Sequence, residues 1–288
     1  MAAWGITPSE IRESDLESYF EARSRVRISN LVFTFMPGDL DNLRVVLVAA
    51  RNPLNIGAAA RAMSNFGIRR LRVVNPYEVA FQEARSAVGA ADVLAKAEQY
   101  EDVAEAVADC RLVVGTTAAG RRELQHRLVR LEEGARAILR QLKTGPVALL
   151  FGSERYGLSN EEMSHCHWMM RIPTREEHGS MNLGQAVAVC LYEVVRGRKM
   201  ASSKSASGNV SGQRANAPAK SREIERLTQV MLEVLRDSGY IKPRAVAAEE
   251  KLRRLVRRLQ LHGNDAEVLL GMLRQIAWRL GANNKDTG

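Results

Sequence analysis

The sequence predicts an α/β fold in which helices cover both faces of a parallel sheet, followed by a small helical extension. Short apolar runs alternate with helical stretches from about residue 43 to 198. Continuous apolar strands separated by helices are typical of a parallel sheet that is buried on both faces. Apolar residues recur at helical spacing again from residue 222 onward, after a segment without periodicity.

Five strands and five helices are expected within residues 43–198. The strands are apolar runs too short to be helices, and the helices fill the gaps between them. The predicted strands are Arg44–Ala50, Leu71–Val74, Arg111–Gly115, Val147–Phe151 and Trp168–Ile172. The predicted helices are Ile56–Phe66, Glu101–Ala108, Leu131–Leu142, Glu161–Cys166 and Leu183–Arg196.

Three further segments complete the chain. Residues 1–42 are polar and mixed, and we expect an extension that is disordered or partly helical. Residues 199–221 are rich in Ser, Ala, Gly and Asn, which predicts a flexible, basic linker with few packed contacts across it. Residues 222–288 are expected to form a helical extension that binds RNA.

The stretch KLRRLVRRL, residues 251–259, predicts an amphipathic helix with a basic face. Leu252, Leu255, Val256 and Leu259 stand at helical spacing and define its apolar side. Five basic residues and no acidic residue fall on the other side, and they favour a surface that faces phosphate. A merely solvated charged face is the ordinary alternative. The five are Lys251, Arg253, Arg254, Arg257 and Arg258.

The overall composition favours a soluble protein with a polyanionic partner. The net charge is +9 and the isoelectric point about 9.8, and each basic residue placed on a phosphate releases a counterion. Many basic proteins nevertheless bind no polyanion. No apolar run has the length of a membrane span, no signal peptide is evident, and the three cysteines are scattered. We therefore expect a cytoplasmic protein with reduced thiols and no membrane partner.

The first of three loop segments with candidate functional residues reads NPLNIGAAARAM, residues 52–63. We expect Asn55 to be the N-cap of the helix that follows. The small residues of that helix allow a ligand or a second chain to approach closely. Arg61 projects from the second turn, and its ordinary alternative role is a surface salt bridge.

The second segment reads FGSERYGLSNEE, residues 151–162, and follows a predicted buried strand. Gly152 lies where the strand ends, and Glu154 lies in the turn beyond it. Ser159 and Glu162 have the spacing of a capping box, which predicts the start of a helix. The ordinary alternative for Glu154 is an exposed turn carboxylate.

The third segment reads SMNLGQAVAV, residues 180–189, and begins an apolar helix. Ser180 or Asn182 caps this helix in the plainest interpretation. Ligands of open α/β sheets bind beyond the carboxyl ends of the strands. Since each of the three segments follows a predicted strand, together they predict one site at this edge of the sheet.

These segments resemble the motifs of SPOUT-superfamily RNA methyltransferases of the TrmH type. The chain is most similar to the TrmJ-like tRNA (cytidine/uridine) 2′-O-methyltransferases. The first motif matches Asn55, Gly57 and Arg61 by spacing, and the second and third match residues 151–162 and 180–189. The likeness covers about Leu43 to Arg196 and resumes more loosely from Glu223 to Leu280.

The resemblance implies a SPOUT fold with a C-terminal deep trefoil knot, although protein chains are generally unknotted. It also implies a homodimer that methylates a ribose 2′-hydroxyl of tRNA in the anticodon loop, at position 32. The implied methyl donor is S-adenosyl-L-methionine. Because this cofactor carries no phosphate, the absence of a dinucleotide-binding glycine pattern from residues 52–63 is expected.

The resemblance further implies the residues that hold the cofactor, mainly through the backbone of the knot loops. These are Thr116, Thr117, Ala118, Gly152, Ile172, Gly179, Ser180, Met181 and Leu183.

In the catalytic role that the resemblance implies, Arg61 activates the ribose 2′-hydroxyl. A guanidinium stays protonated in nearly all protein settings. We therefore expect Arg61 to hold a neighbouring phosphate and to stabilise the charge that grows on the 2′-oxygen, rather than to act as a base. Asn55 and Glu154 are expected to position Arg61 and the RNA, and Ser180 and Asn182 to order the site from the knot side.

Three alternatives stay open at this point. A ribosomal RNA 2′-O-methyltransferase would carry the same motifs. A non-catalytic RNA-binding SPOUT protein is expected to lack at least one of Asn55, Arg61, Glu154 and Asn182, all of which are present. A metal site at residues 165–167 (His-Cys-His) is disfavoured, since successive residues at the start of a strand face opposite ways. No metal is expected in the reaction, because the sulfonium is already a good leaving group.

Overall fold

A computed structural model describes residues 40–85, 90–118, 125–175, 180–202, 217–242 and 245–285. These residues belong to one compact unit that spans Pro37–Gly288. Of the predicted N-terminal extension, only Leu40–Asn42 is described, and it forms a 3₁₀ turn that leads into the first strand.

Seven parallel strands form a single sheet. They are β1 (Leu43–Val48), β2 (Arg70–Val74), β3 (Glu98–Tyr100), β4 (Leu112–Thr116), β5 (Leu128–Arg130), β6 (Val147–Phe151) and β7 (Trp168–Arg171). Their spatial order is β3-β2-β1-β6-β4-β7-β5. The five predicted strands are confirmed to within two residues at each end. The short edge strands β3 and β5 were not predicted, because EQY and LVR are too short and too polar to stand out as apolar runs.

Ten helices accompany the sheet within the described ranges. They are α1 (Pro53–Asn65), α2 (Glu78–Arg85), α3 (Ala91–Ala95), α4 (Val103–Ala106), α5 (Leu131–Leu142), α6 (Asn160–Ser164), α7 (Leu183–Ser202), α8 (Ser221–Asp237), α9 (Val246–Arg258) and α10 (Gly263–Lys285). The prediction for α5 is confirmed at both ends, and α1, α4, α6 and α7 are confirmed with shifted ends. The two helices between β2 and β3 were not predicted. Within the described chain, no helix is both long and apolar enough to cross a bilayer.

Helices cover the sheet on both faces, as predicted. One face packs Val46, Ala148 and Met169 of the strands against Val103 of α4 and Met163 of α6. On the opposite face α7 packs against both α1 and α5, and α5 meets the side chain of Met170 of β7 at Gly134. The largely buried central strands β1, β4 and β6 therefore hold their carboxyl ends in fixed positions for the loops that follow.

Most of the small residues of α1 are buried by other parts of the same chain. A Cβ on Gly184 of α7 would lie 2.5 Å from the Cβ of Ala58, so the two helices meet at these positions. Ala59 and Ala60 have no exposed surface. The expectation that this surface admits a ligand or second chain is thus wrong for Ala59 and Ala60, because α1 turns them toward the core.

Helices α8, α9 and α10 share a core that includes Leu227, Val256 and Ala266. The segment before α8 docks on the α/β domain, since the backbone NH of Ser221 donates to the carbonyl of Cys110 at 2.8 Å. The guanidinium of Arg111 also donates to the carbonyl of Pro218. Few contacts were expected across the predicted linker, and this is wrong for residues 217–221. Residues 199–202 continue α7, and 203–216 lie outside the described residues.

The prediction that α9 turns all its basic residues away from an apolar side is wrong. Arg254 and Arg257 are buried, with 8% and 1% of their surface exposed, whereas Leu255 and Leu259 are 46% and 54% exposed. These arginines are buried because the predicted basic face of α9 packs in the folded protein against Glu225 of α8 and the end of α6. Residues on the predicted basic face therefore join two parts of the fold.

Candidate active site

The carboxyl ends of β4, β6 and β7 open into a cleft of about 330 Å³. Three loops line it, one after β4, one after β6 and one between β7 and α7. Eight of the nine residues predicted to hold the cofactor lie in its wall, and the ninth, Gly179, is outside the described residues. The eight are Thr116, Thr117, Ala118, Gly152, Ile172, Ser180, Met181 and Leu183.

Short hydrogen bonds hold the loop after β4 against the neighbouring strands. The hydroxyl of Thr116 donates to the carbonyl of Leu150 on β6 at 2.8 Å. The backbone NH of Thr117 donates to the carbonyl of Met170 on β7 at 3.0 Å. The start of this loop is therefore an extension of the sheet, which presents fixed backbone groups to the cleft.

The loop after β6 folds back on itself and leaves no room for a side chain at Gly152. A Cβ at that position would lie 2.1 Å from the backbone carbon of Gly157. Gly157 has a left-handed φ of +67°, which an L side chain rarely adopts. The predicted capping box is confirmed, because Ser159 accepts from the backbone NH of Glu162 and Glu162 from that of Ser159. This closed turn places Glu154 at the rim of the cleft.

Glu154 connects the loop after β6 to the start of α1. Its carboxylate accepts hydrogen bonds from the backbone NH of Arg51 at 3.1 Å, the backbone NH of Asn52 at 3.1 Å and the side-chain amide of Asn55 at 3.2 Å. Partial burial acts to raise the pKa of Glu154, but hydrogen bonds from its own backbone and from these donors outweigh burial and lower the pKa below its usual value. The carboxylate is therefore ionised at neutral pH.

Asn182 extends this chain of contacts to α7. Its side-chain NH₂ donates to the side-chain oxygen of Asn55 at 2.7 Å. Its own side-chain oxygen accepts from the backbone NH groups of Gly184 and Gln185 at 3.0 and 3.3 Å, so Asn182 caps α7. The three loop segments thus meet in one hydrogen-bonded chain that runs from Glu154 through Asn55 to Asn182.

The N-cap of α1 is Asn52, and the prediction of Asn55 is wrong. The side-chain oxygen of Asn52 accepts from the backbone NH of Leu54 at 2.9 Å, and Pro53 occupies the first helical position. Proline suits that position because its φ is helical and its missing NH is not needed there. Asn55 lies one turn further on, where its side chain is available to both Glu154 and Asn182.

Arg61 and Ser180 occupy different positions relative to the cleft. Ser180 lines it, as predicted. Arg61 is exposed on α1 and is not among the described residues that line the cleft of its own chain. Sequence reasoning missed Arg155 and Tyr156, which also line the cleft and stand inside the second segment. Their position next to Glu154 could have indicated a place in the site. They were missed because polar residues in an exposed turn are typical of ordinary protein surface.

The His-Cys-His stretch lies against the C-terminal helices. The side-chain nitrogen Nδ1 of His167 accepts a hydrogen bond from the backbone NH of Val113 at 3.1 Å. His165 Nδ1 lies 3.4 Å from a guanidinium nitrogen of Arg257. Burial, reinforced by the charge of Arg257, lowers the pKa of both histidines to about 3. Among the described residues, no three His, Cys, Asp or Glu side chains form a group that could hold a metal ion.

Comparison with known proteins agrees with this architecture. The chain is 36% identical over 241 residues to the tRNA (cytidine/uridine-2′-O-)-methyltransferase TrmJ of Sodalis glossinidius, which covers 82% of this chain and 92% of that protein. It is 36% identical over 250 residues to the protein of the same name from Yersinia pestis, with 82% and 92% covered. The crystal structure of TrmJ from Z. mobilis ZM4 superposes with a TM-score of 0.68 at 31% identity, over 81% of this chain and 98% of that one.

The resemblance read from the three segments is confirmed by a match that contains all of them. Residues 42–192 match the SpoU rRNA Methylase family, and this range includes the whole sheet and every described wall of the cleft. Since the match spans more than half of the chain and each of the two TrmJ relatives above covers 82% of it, the chain belongs to the SpoU methylase family.

Proposed function

We propose that this protein transfers a methyl group from S-adenosyl-L-methionine to a ribose 2′-hydroxyl of tRNA. The observation that carries the proposal is the hydrogen-bonded chain of Glu154, Asn55 and Asn182, which joins the three motif segments at the rim of one cleft. The names of the TrmJ relatives support tRNA as the substrate. S-adenosylmethionine is the methyl donor used by SpoU methyltransferases.

The cleft suits such a cofactor by its chemistry. Apolar side chains form one part of the wall and fit an adenine ring, whereas the loop backbones offer NH and CO groups to the ribose and the amino-acid end. When bound, the cofactor supplies a methyl group on a sulfonium. The apolar side chains are Leu158, Met163, Leu183 and Ala186.

Glu154 is suited to hold the site in place and poorly suited to remove a proton. Its lowered pKa makes it a weak base, and its oxygens already accept three hydrogen bonds. A ribose 2′-hydroxyl is a very weak acid, so the reaction needs stabilisation of the charge on its oxygen. We assign that role to Arg61, through contact with the 2′-oxygen and the adjacent phosphate.

A homodimer is part of the proposal. Arg61 is exposed and is not among the described residues that line the cleft of its own chain, which supports a role for it in the cleft of a second copy. Leu54 of α1 and Tyr192 of α7 are 80% and 52% exposed, and these two apolar side chains on packed helices support an interface there.

A deep trefoil knot is also part of the proposal. In the sheet, β7 lies between β4 and β5, and the segment that follows β7 lines the same cleft as the loop after β4. The position of β7 and the shared wall of the cleft support a knot in which the last motif segment passes through the earlier loop.

The proposal also includes the RNA-binding part of the chain, the target nucleotide and the compartment. Residues 222–288 form an extension that contributes to tRNA binding through its exposed basic residues, which include Lys251 and Arg258. The target is position 32 of the anticodon loop, and the reaction takes place in the cytoplasm, where tRNA is the substrate.

The direct test is methyl transfer from labelled cofactor to unmodified tRNA and, separately, to ribosomal RNA, followed by mass mapping of the methylated nucleotide. We expect one 2′-O-methyl group in the anticodon loop of tRNA, with full activity in the presence of a metal chelator when the tRNA stays folded. Transfer to ribosomal RNA alone would replace the substrate in the proposal. Cofactor binding without transfer to either RNA would favour a non-catalytic RNA-binding protein.

A further inference from the structure

Two arginine–tyrosine pairs lie at the rim of the cleft. The guanidinium carbon of Arg51 is 5.8 Å from the ring centroid of Tyr77, and that of Arg155 is 5.1 Å from the ring centroid of Tyr156. Both tyrosines stay largely exposed, Tyr77 by 51% and Tyr156 by 66%. An exposed tyrosine ring that lies against a guanidinium offers a flat face to which a ligand can bind.

Both pairs lie next to Glu154, although Arg51 and Tyr77 are distant from it in the sequence. The backbone NH of Arg51 donates to the Glu154 carboxylate at 3.1 Å, and Arg155 is the next residue after Glu154. The guanidinium of Arg51 also donates to the carbonyl of Asn75 at 3.3 Å, which holds the start of the loop after β2 close to the site. Asn75 has a left-handed φ of +48°, and this turn leads directly to Tyr77.

A third arginine–tyrosine pair shows what a purely structural pair looks like. Arg72 lies 5.6 Å from the ring centroid of Tyr100, but it is only 7% exposed. Its guanidinium is held by the carboxylates of Glu98 and Asp109 at 2.9 and 2.5 Å. Arg51, by comparison, donates to a neutral carbonyl and is exposed, so its charge is available to an anion in solution.

Exposed tyrosine rings and guanidinium planes next to the cleft fit the unpaired bases of an RNA loop. Unpaired nucleobases stack on tyrosine rings and on arginine planes, and the cations at the same time attract the RNA phosphates. We propose that Arg51–Tyr77 and Arg155–Tyr156 form a stacking platform for the unpaired bases next to the target nucleotide. This inference rests on the proposed function, since it takes the substrate to be an RNA loop.

The test measures equilibrium binding of the full-length protein to a tRNA anticodon stem-loop, with Tyr77 replaced in three ways. We expect Tyr77→Ala to weaken binding by about 5- to 100-fold, because base–aromatic stacking is lost. Tyr77→Phe keeps the ring and is expected to bind within about twofold of the wild type. Tyr77→Leu keeps apolar bulk without the ring and is expected to behave like the alanine variant.

Controls separate the platform from general damage to the protein. Cofactor affinity is expected to stay unchanged in all three variants, since Tyr77 does not line the described cleft. Arg69 is exposed at the amino end of β2, the opposite edge of the sheet, and Arg69→Ala serves as the charge control for Arg51→Ala. Tyr156→Ala is interpreted only together with its cofactor affinity, because Tyr156 lines the cleft.

A double-mutant cycle decides the inference. An abasic nucleotide beside the target is expected to weaken wild-type binding as much as Tyr77→Ala does, and to cause no further loss in that variant. Additive losses at every flanking position, or a leucine variant that binds like the wild type, would overturn the platform. These outcomes concern binding alone, so a wild-type protein that shows the coupling but transfers no methyl group would contradict the proposed function and leave the platform intact.

Discussion

The arginines at the rim of the cleft and two arginines of α9 look alike in the sequence but have opposite surroundings. Arg51 and Arg155 are exposed and lie against tyrosine rings. Arg253 and Arg257 share the carboxylate of Glu225, each at 3.2 Å, and their side chains are 16% and 1% exposed. A dense run of basic residues is therefore a poor guide to RNA contact, because charges that are paired and buried join parts of the protein instead.

Buried pairing also connects the C-terminal helices to the cleft. Arg253 donates to the hydroxyl of Ser164 at 3.2 Å, and Arg257 approaches His165. Met163, the preceding residue, lines the cleft. Removal of the C-terminal helices is therefore expected to disturb the cofactor site as well as RNA binding, whereas the composition of the predicted linker indicated two independent parts.

The largest expected effect is on stability, from Glu225→Ala. This change leaves the guanidinium groups of Arg253 and Arg257 without their shared carboxylate, and an unpaired buried charge costs about 3–5 kcal/mol. We expect the free energy of unfolding in urea to fall by that amount. Glu161→Ala, an exposed carboxylate on α6, is the matched control, expected to change it by less than about 0.5 kcal/mol. Equal losses of stability in Glu225→Ala and Glu161→Ala would contradict the view that the arginines of α9 are held by a buried ion pair.

The next effect concerns catalysis by Arg61. Arg61→Ala is expected to lower kcat by roughly 100- to 1000-fold, the usual loss when a group that stabilises a growing oxyanion is removed. Stability and cofactor affinity are expected to change little, since Arg61 is exposed and outside its own chain's cleft. Arg61→Lys is expected to be poor as well, because a point charge lacks the bidentate fork. An active lysine variant would show that Arg61 contributes only its positive charge and that the bidentate geometry of the guanidinium is not needed.

Acid is expected to destabilise the protein through the buried histidines of the His-Cys-His stretch, residues 165–167. His165 and His167 have pKa values of about 3 in the folded protein, against about 6.5 when unfolded. The unfolded chain thus takes up protons first, so stability is full above about pH 6.5 and falls as the pH drops toward 3. At pH 5 the loss is about 2 kcal/mol for each histidine. Urea unfolding at pH 7 and pH 5 measures it.

The control for this pH dependence is His262, whose side chain is 41% exposed. His165→Gln is expected to remove part of the loss between pH 7 and pH 5, and His262→Gln to leave it unchanged. A pH-independent free energy of unfolding in the wild type over this range would contradict the assignment of two neutral buried histidines.

The smallest expected effect is on the salt dependence of tRNA binding. Arg51→Ala and Arg155→Ala are each expected to reduce the log–log slope by roughly one unit, if each arginine contacts one phosphate. Arg257→Ala is expected to leave the slope unchanged under conditions where the variant is folded, because its charge is buried against Glu225. A reduced slope for Arg257→Ala and not for Arg51→Ala would reverse the comparison.

Much of the fold could be predicted because local patterns agree with it. Val147–Phe151 and Leu131–Leu142 were located to the residue, since an unbroken apolar run and a strongly amphipathic helix each have one satisfactory environment. The capping box at Ser159 and Glu162 is likewise a contact between near neighbours. Strands of three residues such as Glu98–Tyr100 carry too little pattern, and they exist because a neighbouring strand offers them hydrogen bonds.

The sequence by itself determined the α/β fold with its parallel sheet, the three loop segments and the family to which the chain belongs. Those depend on periodicity, on turn residues and on short spacings, which act over a few residues. Only the tertiary structure decided that Asn55 bridges Glu154 and Asn182 instead of capping its helix, and that Arg257 is buried against Glu225 while Arg51 is exposed. The reason is physical: the partner of each of these side chains lies about 30 to 130 residues away, and its identity depends on which strands and helices the fold brings together.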